Sequence, residues 1–346
     1  MEFPRIARDT LARRTGPLDR GGPRRRKTAL RWQVELDDGL MGVHCDVDDG
    51  ALSARIRRAL VASLPQRAPG LSPQLWIERV PAVDNATAAR KGKLTLPANL
   101  DFYVPTEGRL AVSRELSLAR QWRAGLELSV VRDRRQTVHF YNTLYLPTLA
   151  RTHPEGRASS LRELEQLGHG WLMLLSQDTQ VMAGGLMFES PLRSNEGWFS
   201  HLGYVPGAPA FIRAAPYVAA LELSRRFGFA ATDLLAALPL LSDGLAQHKL
   251  AWGSQVRTFA AEGAAASAAL RLSFASTHAL IRFCRRHPIV VLTQGDLIVL
   301  ASERCPRLPS QSTRLNVEAF DPGVPIAELT TALYARSAAL LTAAGS

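Results

Sequence analysis

Cysteine is scarce: Cys45, Cys284 and Cys305 are the only three in 346 residues. They stand far apart, which excludes a disulfide framework and any C-x-x-C zinc site and leaves three reduced thiols. Long apolar runs are missing as well. No stretch of about 18 apolar residues free of charge occurs, so a membrane-spanning helix is not expected. The N-terminal stretch MEFPRIARDTLARRTG lacks the apolar core of a secretory signal, and cytoplasmic residence is the expectation. Neither G-x-G-x-x-G nor G-x-x-x-x-G-K-[ST] appears, which excludes a Rossmann unit or P-loop of the usual kind. H-E-x-x-H and H-x-E…C-x-x-C are absent, so no metal is implied. No local Ser-His-Asp or Cys-His signature appears either.

What is present describes a globular chain. Hydrophobic residues make up 46% and charged residues 21%, and the length suits one large domain or two ordinary ones. The net charge of +11 is unevenly spread. Residues 1–31 carry ten Lys or Arg against Glu2, Asp9 and Asp19, a net of +7. This Pro/Gly/Arg-rich segment has too little apolar surface to offset its chain entropy, so a mobile arm is expected. It suits nucleic acid, an anionic membrane or an acidic partner, and equally serves as a solvated tail.

Past the arm, two apolar runs flank Asp37-Asp38-Gly39, which is hairpin chemistry. The spacing of Ile56, Leu60 and Leu64 predicts a helix over 52–64. PQLWIERV reads as a strand, and 81–93 as a loop or linker. SRELSLARQWRAG, from Ser113 to Gly125, reads as a capped basic helix, followed by a strand in LELSVVRD. An aromatic helix over RRQTVHFYNTLYLPTLARTH should end or kink near Pro147. A short helix follows in SSLRELEQL. WLMLLSQDTQVMAGGLMFES and GWFSHLGYV supply three antiparallel strands, AAPYVAALELSRRFGF a helix closed by Gly228, and ATDLLAAL a fourth strand. The order is that of a mixed α/β (α+β) protein.

Four stretches carry a resemblance: the basic helix ending in glycine, the aromatic segment with Tyr-x-Pro, the strand pair about a short turn, and the unit ending in SDGLAQHKLAWG. Together they resemble the GNAT-fold acyltransferases of the FemAB-like, Acetyltransf_6 type. Ser242, Asp243, Gly244, Lys249, Trp252 and Gly253 match the most specific of these elements, and the likeness spans about residues 94–300. It implies a central, mostly antiparallel sheet flanked by helices, with a smaller degenerate GNAT-like half before it. Three segments are therefore expected: the basic arm 1–31, a smaller N-terminal half over 32–93, and an acyltransferase core over 94–346 whose C-terminal helix, VPIAELTTALYARSAALLTAAG, packs on it. Two departures stand out. Leu235 and Ala236 occupy the place of a usual Gly-Gly or Gly-Ser pair, and PGAPAFIRAAP replaces the Q/R-x-x-G-x-G/A loop that cradles pyrophosphate.

N-acyl transfer from a thioester asks for aligned reactants, a route for the amine's proton and a donor to the developing oxyanion. The resemblance implies acyl-CoA or acetyl-CoA as co-substrate and the amine of a small molecule or a cell-envelope precursor as acceptor. Asp243 is a candidate to position the amine, or else a helix cap. Lys249 is a candidate to meet a phosphate, or else a structural ion pair. Tyr145 is a candidate acid, or half-buried packing against Tyr141. Glu189, His201 and Tyr204 lie on or beside strands leading toward the acyl site, and His153, after the Tyr-x-Pro segment, ranks ahead of His201. Arg213 is a candidate phosphate contact. Trp252 completes the cofactor-binding set, or is a core aromatic beside a turn. Two alternatives stay open: an aminoacyl-tRNA-dependent transferase that uses the arm on the tRNA backbone, and a non-catalytic scaffold on a decayed GNAT frame.

Overall fold

Trp32, Val34 and Leu36 alternate with Gln33 and Glu35, and the alternation makes a strand with one buried face. This is β1 (Leu30–Leu36), which pairs antiparallel with β2 (Gly39–Asp46) about Asp37-Asp38. Gly39 takes φ +126° to close the turn, as the hairpin chemistry requires. In this computed structural model the described residues are 30–47, 50–60, 72–81, 92–107, 125–152, 158–166, 170–190, 193–258, 268–293, 297–305, 308–309 and 312–335.

The chain forms two compact units. One holds the described residues of Asp101–Leu235 and Ala251–Gln255; the other holds those of Asp19–Leu100, Ala236–Leu250 and Val256–Ser346. The sequence expectation divided the chain linearly at 93/94, whereas the units interleave. The physical reason is strand pairing. β12 (Ala268–Phe274) lies between β3 (Leu75–Pro81) and β4 (Lys93–Pro97), antiparallel to both, so distant segments complete one sheet in the order β1-β2-β3-β12-β4. The C-terminal helix, described over Ile326–Ala335, belongs to this unit too. Its Tyr334 hydroxyl accepts the Thr95 backbone N–H at 2.7 Å, pairing a group on the edge strand β4.

In the same unit α1 (Gly50–Leu60) follows β2 and precedes its parallel neighbour β3. Its Leu52, Ile56 and Leu60 are buried, as the 3.6-residue period dictates, while Arg57 and Arg58 are exposed; Leu64 lies outside the described residues. A three-stranded sheet of β13 (Ile289–Leu292), β14 (Leu297–Ala301) and β15 (Thr313–Asn316) shares the core. None of the three cysteines is disulfide-bonded. Among the described residues no helix is long and apolar enough to cross a membrane, and no cluster of metal-ligating side chains occurs.

The other unit is built on a seven-stranded sheet in the order β11-β5-β10-β9-β8-β7-β6. Its strands are β5 (Leu100–Pro105), β6 (Glu127–Val131), β7 (Trp171–Gln177), β8 (Gln180–Glu189), β9 (Glu196–Tyr204), β10 (Ala231–Ala237) and β11 (Gln255–Thr258). β6 to β9 pair antiparallel in sequence order, and β10 joins β9 in parallel. One face carries a helical run: α2 (Arg134–Phe140), a π-helical turn (Tyr141–Tyr145), α3 (Leu146–Thr152) and, after a break, α4 (Leu161–Gln166). Phe140, Tyr141, Leu144, Tyr145 and Leu164 pack there on Leu172, Leu174, Leu186 and Phe188. The opposite face takes α5 (Ala210–Arg226), buried along most of its length, with Tyr217 edge-on to Phe199 at 5.0 Å. Strand, helices, three antiparallel strands, helix, parallel strand: this is the mixed α/β order read from the sequence, a mostly antiparallel sheet flanked by helices. The proposed basic helix over 113–125 lies outside the described residues except for Gly125.

Candidate functional site

Pro147 has no N–H to donate, and its ring crowds the carbonyl four residues back. The helix accommodates it by widening: the Leu146 N–H bonds the Tyr141 carbonyl five residues earlier, a π turn rather than an end to the helix. Such turns re-aim side chains and recur at functional sites. This one points Tyr145 at β9, where its ring meets the His201 imidazole edge-on at 4.9 Å. The approach depends on Gly203. A methyl group there would stand 2.6 Å from the Leu144 carbonyl carbon and 2.7 Å from the Tyr145 nitrogen.

β9 is irregular at the same place. Gly184 pairs with Gly203 but Leu186 pairs with Ser200, so β9 holds one extra residue across this interval. His201 takes φ +56° within it, and its Nδ1 is hydrogen-bonded to the Ser200 hydroxyl. Bulges of this kind bend a strand and re-aim one side chain. β9 and β10 also part here. Their ladder covers only Ala231–Asp233 against Glu196–Trp198, while β9 runs on to Tyr204. On the β10 side Leu235 adopts φ +68°, a left-handed conformation costly for leucine, held by its N–H bonding the Asp233 carboxylate at 2.6 Å. This is where a glycine pair was expected, and the conformation is one glycine takes without strain.

The open end of β9 gathers further polar groups. Thr148 on α3 bonds the Tyr204 backbone, its hydroxyl donating to the carbonyl at 3.0 Å. The Arg151 guanidinium lies 5.1 Å from the Tyr204 ring centre. Burial raises the Tyr145 phenol above its ordinary range, while the Ser159 backbone opposes the shift. The phenol therefore stays protonated through neutral pH. Ser159 also accepts the Tyr141 hydroxyl at 2.7 Å, so both tyrosines are tied to the start of α4.

The remaining sequence candidates are dispersed. Glu189 pairs with Gly197 at the opposite end of β9 from Tyr204, about 23 Å away at ordinary strand rise, and does not join the cluster. Arg213 is exposed on the first turn of α5, following the open end of β9. Trp252 is fully buried, its ring stacked on Tyr217 at 5.3 Å, so it presents no surface to a cofactor; the core role holds. Asp243 and Lys249 belong to the other unit. The Asp243 carbonyl accepts the Gln247 N–H at 2.9 Å, which places Asp243 at the start of α6 (Gly244–Leu250). Lys249 is buried, and its ammonium donates to the Ala236 carbonyl at 3.0 Å rather than reaching for a phosphate. Ser242 caps nothing with its side chain; it bonds the Ala59 carbonyl and His287. His153 lies outside the described residues. His201 gains prominence from a bulge, which a register count reveals and composition does not.

No family model matches the sequence, and no curated protein matches it. Solved structures are similar to it. L-PGS from Bacillus licheniformis shares 13% identity at a TM-score of 0.40, over 70% of this chain and 84% of that one. FemX shares 10% identity at a TM-score of 0.39, over 70% of this chain and 87% of that one. A GCN5-related N-acetyltransferase from Sphaerobacter thermophilus shares 13% identity at a TM-score of 0.30, over 58% and 59% of the two chains.

Proposed function

We propose that this chain is an N-acyltransferase that moves an acyl group from an acyl-thioester, an acyl-CoA, to the amine of a small-molecule or cell-envelope acceptor. The parting of β9 and β10 beyond Trp198 is the observation that supports this reading. Past that point β9 runs on without a β10 ladder, and a gap between two strands is a place where a thioester could lie beside the His201 imidazole. The amine nitrogen attacks the thioester carbon, the C–N bond forms and the C–S bond breaks. The proton shed by nitrogen passes to His201, and the sulfur leaves as thiolate to be protonated to the thiol. Tyr145 acts here as a positioning residue that holds the imidazole by its ring edge.

A second reading is favoured by Pro206 and Pro209 between β9 and α5. Neither has an N–H, and Pro209 stands at the cap of α5, so the backbone cradle that usually holds pyrophosphate is thinned. An acyl ester carried on tRNA would not need that cradle, and residues 1–31 would meet its backbone. The test is calorimetric titration of the full chain with acetyl-CoA, CoA and bulk tRNA at two salt concentrations, alongside amide formation by native protein and His201→Gln. Saturable CoA binding with transfer lost in His201→Gln supports the thioester donor. tRNA binding that weakens steeply with salt, with no CoA binding, supports the second reading. Silence toward both sinks the transferase reading and leaves a scaffold.

A further inference from the structure

The register of the five-stranded sheet brings one residue from each strand into a single line. Arg31 on β1 pairs with His44 on β2, His44 with Trp76 on β3, Trp76 with Ser273 on β12, and Ser273 with Lys93 on β4. Alternation puts all five on the face away from the core, since their neighbours Trp32, Cys45, Ile77, Leu272 and Leu94 belong to the buried cluster. At ordinary strand spacing the line is about 19 Å long, with Trp76 at its centre and a cation at each end.

Trp76 is 36% exposed, and it is the one aromatic among the four large apolar side chains that the described residues leave in solvent. An indole held on a rigid sheet offers a flat surface on which another ring stacks. The next line on the same face holds Asp46, Glu78, Arg271 and Thr95. Glu78 is bonded by the Lys93 ammonium at 2.9 Å and lies 4.0 Å from the Arg271 guanidinium. The two lines therefore carry three cations, Arg31, Lys93 and Arg271, against the two acids Asp46 and Glu78. A larger charge is tethered at the edge. β1 is the outermost strand of this sheet, and the sequence places residues 1–30, with a net of +6, directly before Arg31. Positive charge beside a solvent-facing aromatic suits a polyanion that carries flat rings.

We propose that this face binds a single nucleic-acid strand: a base stacks on Trp76, phosphates on either side of it meet Arg31 and Lys93, and residues 1–30 add charge without reading bases. A duplex keeps its base faces inside its own stack, so only an unpaired strand can use the indole. The face belongs to the other unit from the β9–β10 opening, and its occupant is independent of the acyl donor proposed there.

Fluorescence anisotropy on the full chain tests this with a labelled twelve-residue oligouridylate and an RNA duplex of equal length. Oligouridylate binds saturably, and Trp76→Ala weakens it about tenfold, the size of one base–aromatic stack. Trp76→Phe recovers most of that loss, and circular dichroism confirms that each variant keeps its fold. The duplex, drawn by residues 1–30, binds native protein and Trp76→Ala equally. Arg31→Gln lowers the slope of log affinity against log salt by about 0.7, the value of one phosphate contact on a single strand. His201→Gln leaves oligouridylate binding unchanged, which keeps this test apart from a failure of the transferase reading. Oligouridylate binding that is absent, or unchanged in Trp76→Ala, or lost there no more than duplex binding, overturns the proposal. If oligouridylate is unmoved, weaker attachment of Trp76→Ala to phosphatidylglycerol vesicles would assign the face to a membrane, and loss of a dimer in that variant would assign it to a second copy of the chain.

Discussion

Lowering the pH from 7 toward 4 should destabilise this protein through one histidine. His287 is 5% exposed, and its Nδ1 lies 2.8 Å from the Ser242 hydroxyl. That hydroxyl donates its single proton to the Ala59 carbonyl at 3.3 Å, so Nδ1 must carry the ring proton and Nε2 the lone pair. Nε2 has no hydrogen-bond partner among the described residues. Protonation would place a buried cation with an unmet donor beside Phe283, whose ring centre is 5.1 Å away. Burial, with a smaller push from Arg286, accordingly lowers the imidazole to about 4 from 6.5. The folded value lies below the unfolded one, so the contribution to stability is whole above pH 6.5. It is lost as the unfolded chain takes up a proton that the fold refuses, until the folded ring titrates near 4. At about 1.4 kcal/mol per pH unit the loss over this window is about 3 kcal/mol. Urea unfolding of native protein and His287→Leu, measured between pH 7 and 4, checks it. The variant starts less stable at pH 7 but shows a flatter decline. Equal slopes in the two proteins would refute the assignment.

Two further outcomes follow from contacts already described. Lys249→Ala removes the donor to the Ala236 carbonyl and should lower stability by about 1–3 kcal/mol, read as a lower urea midpoint; an unchanged midpoint would mean the buried ammonium is not structural. Gly203→Ala drives a methyl into the backbone of the π turn and should cost about 1–3 kcal/mol. It should also perturb the Tyr145–His201 contact, seen as a changed imidazole chemical shift.

Legibility in the sequence followed the range of the interactions. The β1–β2 hairpin was readable because its chemistry is local to Asp37-Asp38-Gly39. The antiparallel run β7–β8–β9 was readable because apolar stretches and a short turn adjoin one another. β12 was not, since both of its partners lie well over a hundred residues earlier and nothing within Ala268–Phe274 names them. At the site, Pro147 announced an irregularity but not its form, which depends on whether the helix ends or widens. Tyr145 was visible as a residue type; its target was not, because the bulge at His201 arises from a mismatch between β8 and β9. Lys249 kept two readings for a related reason: a lysine buried on a carbonyl and a lysine offered to a ligand have the same local pattern. The place of Glu189 was not legible either, since antiparallel pairing sends the end of β8 away from the end of β9.

The placement of β12 between β3 and β4 also bears on synthesis. Leu272 pairs with Ile77 on one side and Leu94 on the other, so β3 has only β2, and β4 no partner in this sheet, until residues 268–274 leave the ribosome. At about 5–20 residues per second, the interval between completing β4 and completing β12 lasts about 9 to 35 s. During it one edge of β3 and both edges of β4 wait open, a period of exposure to aggregation that a chaperone would shorten and that slower translation of 98–267 would lengthen.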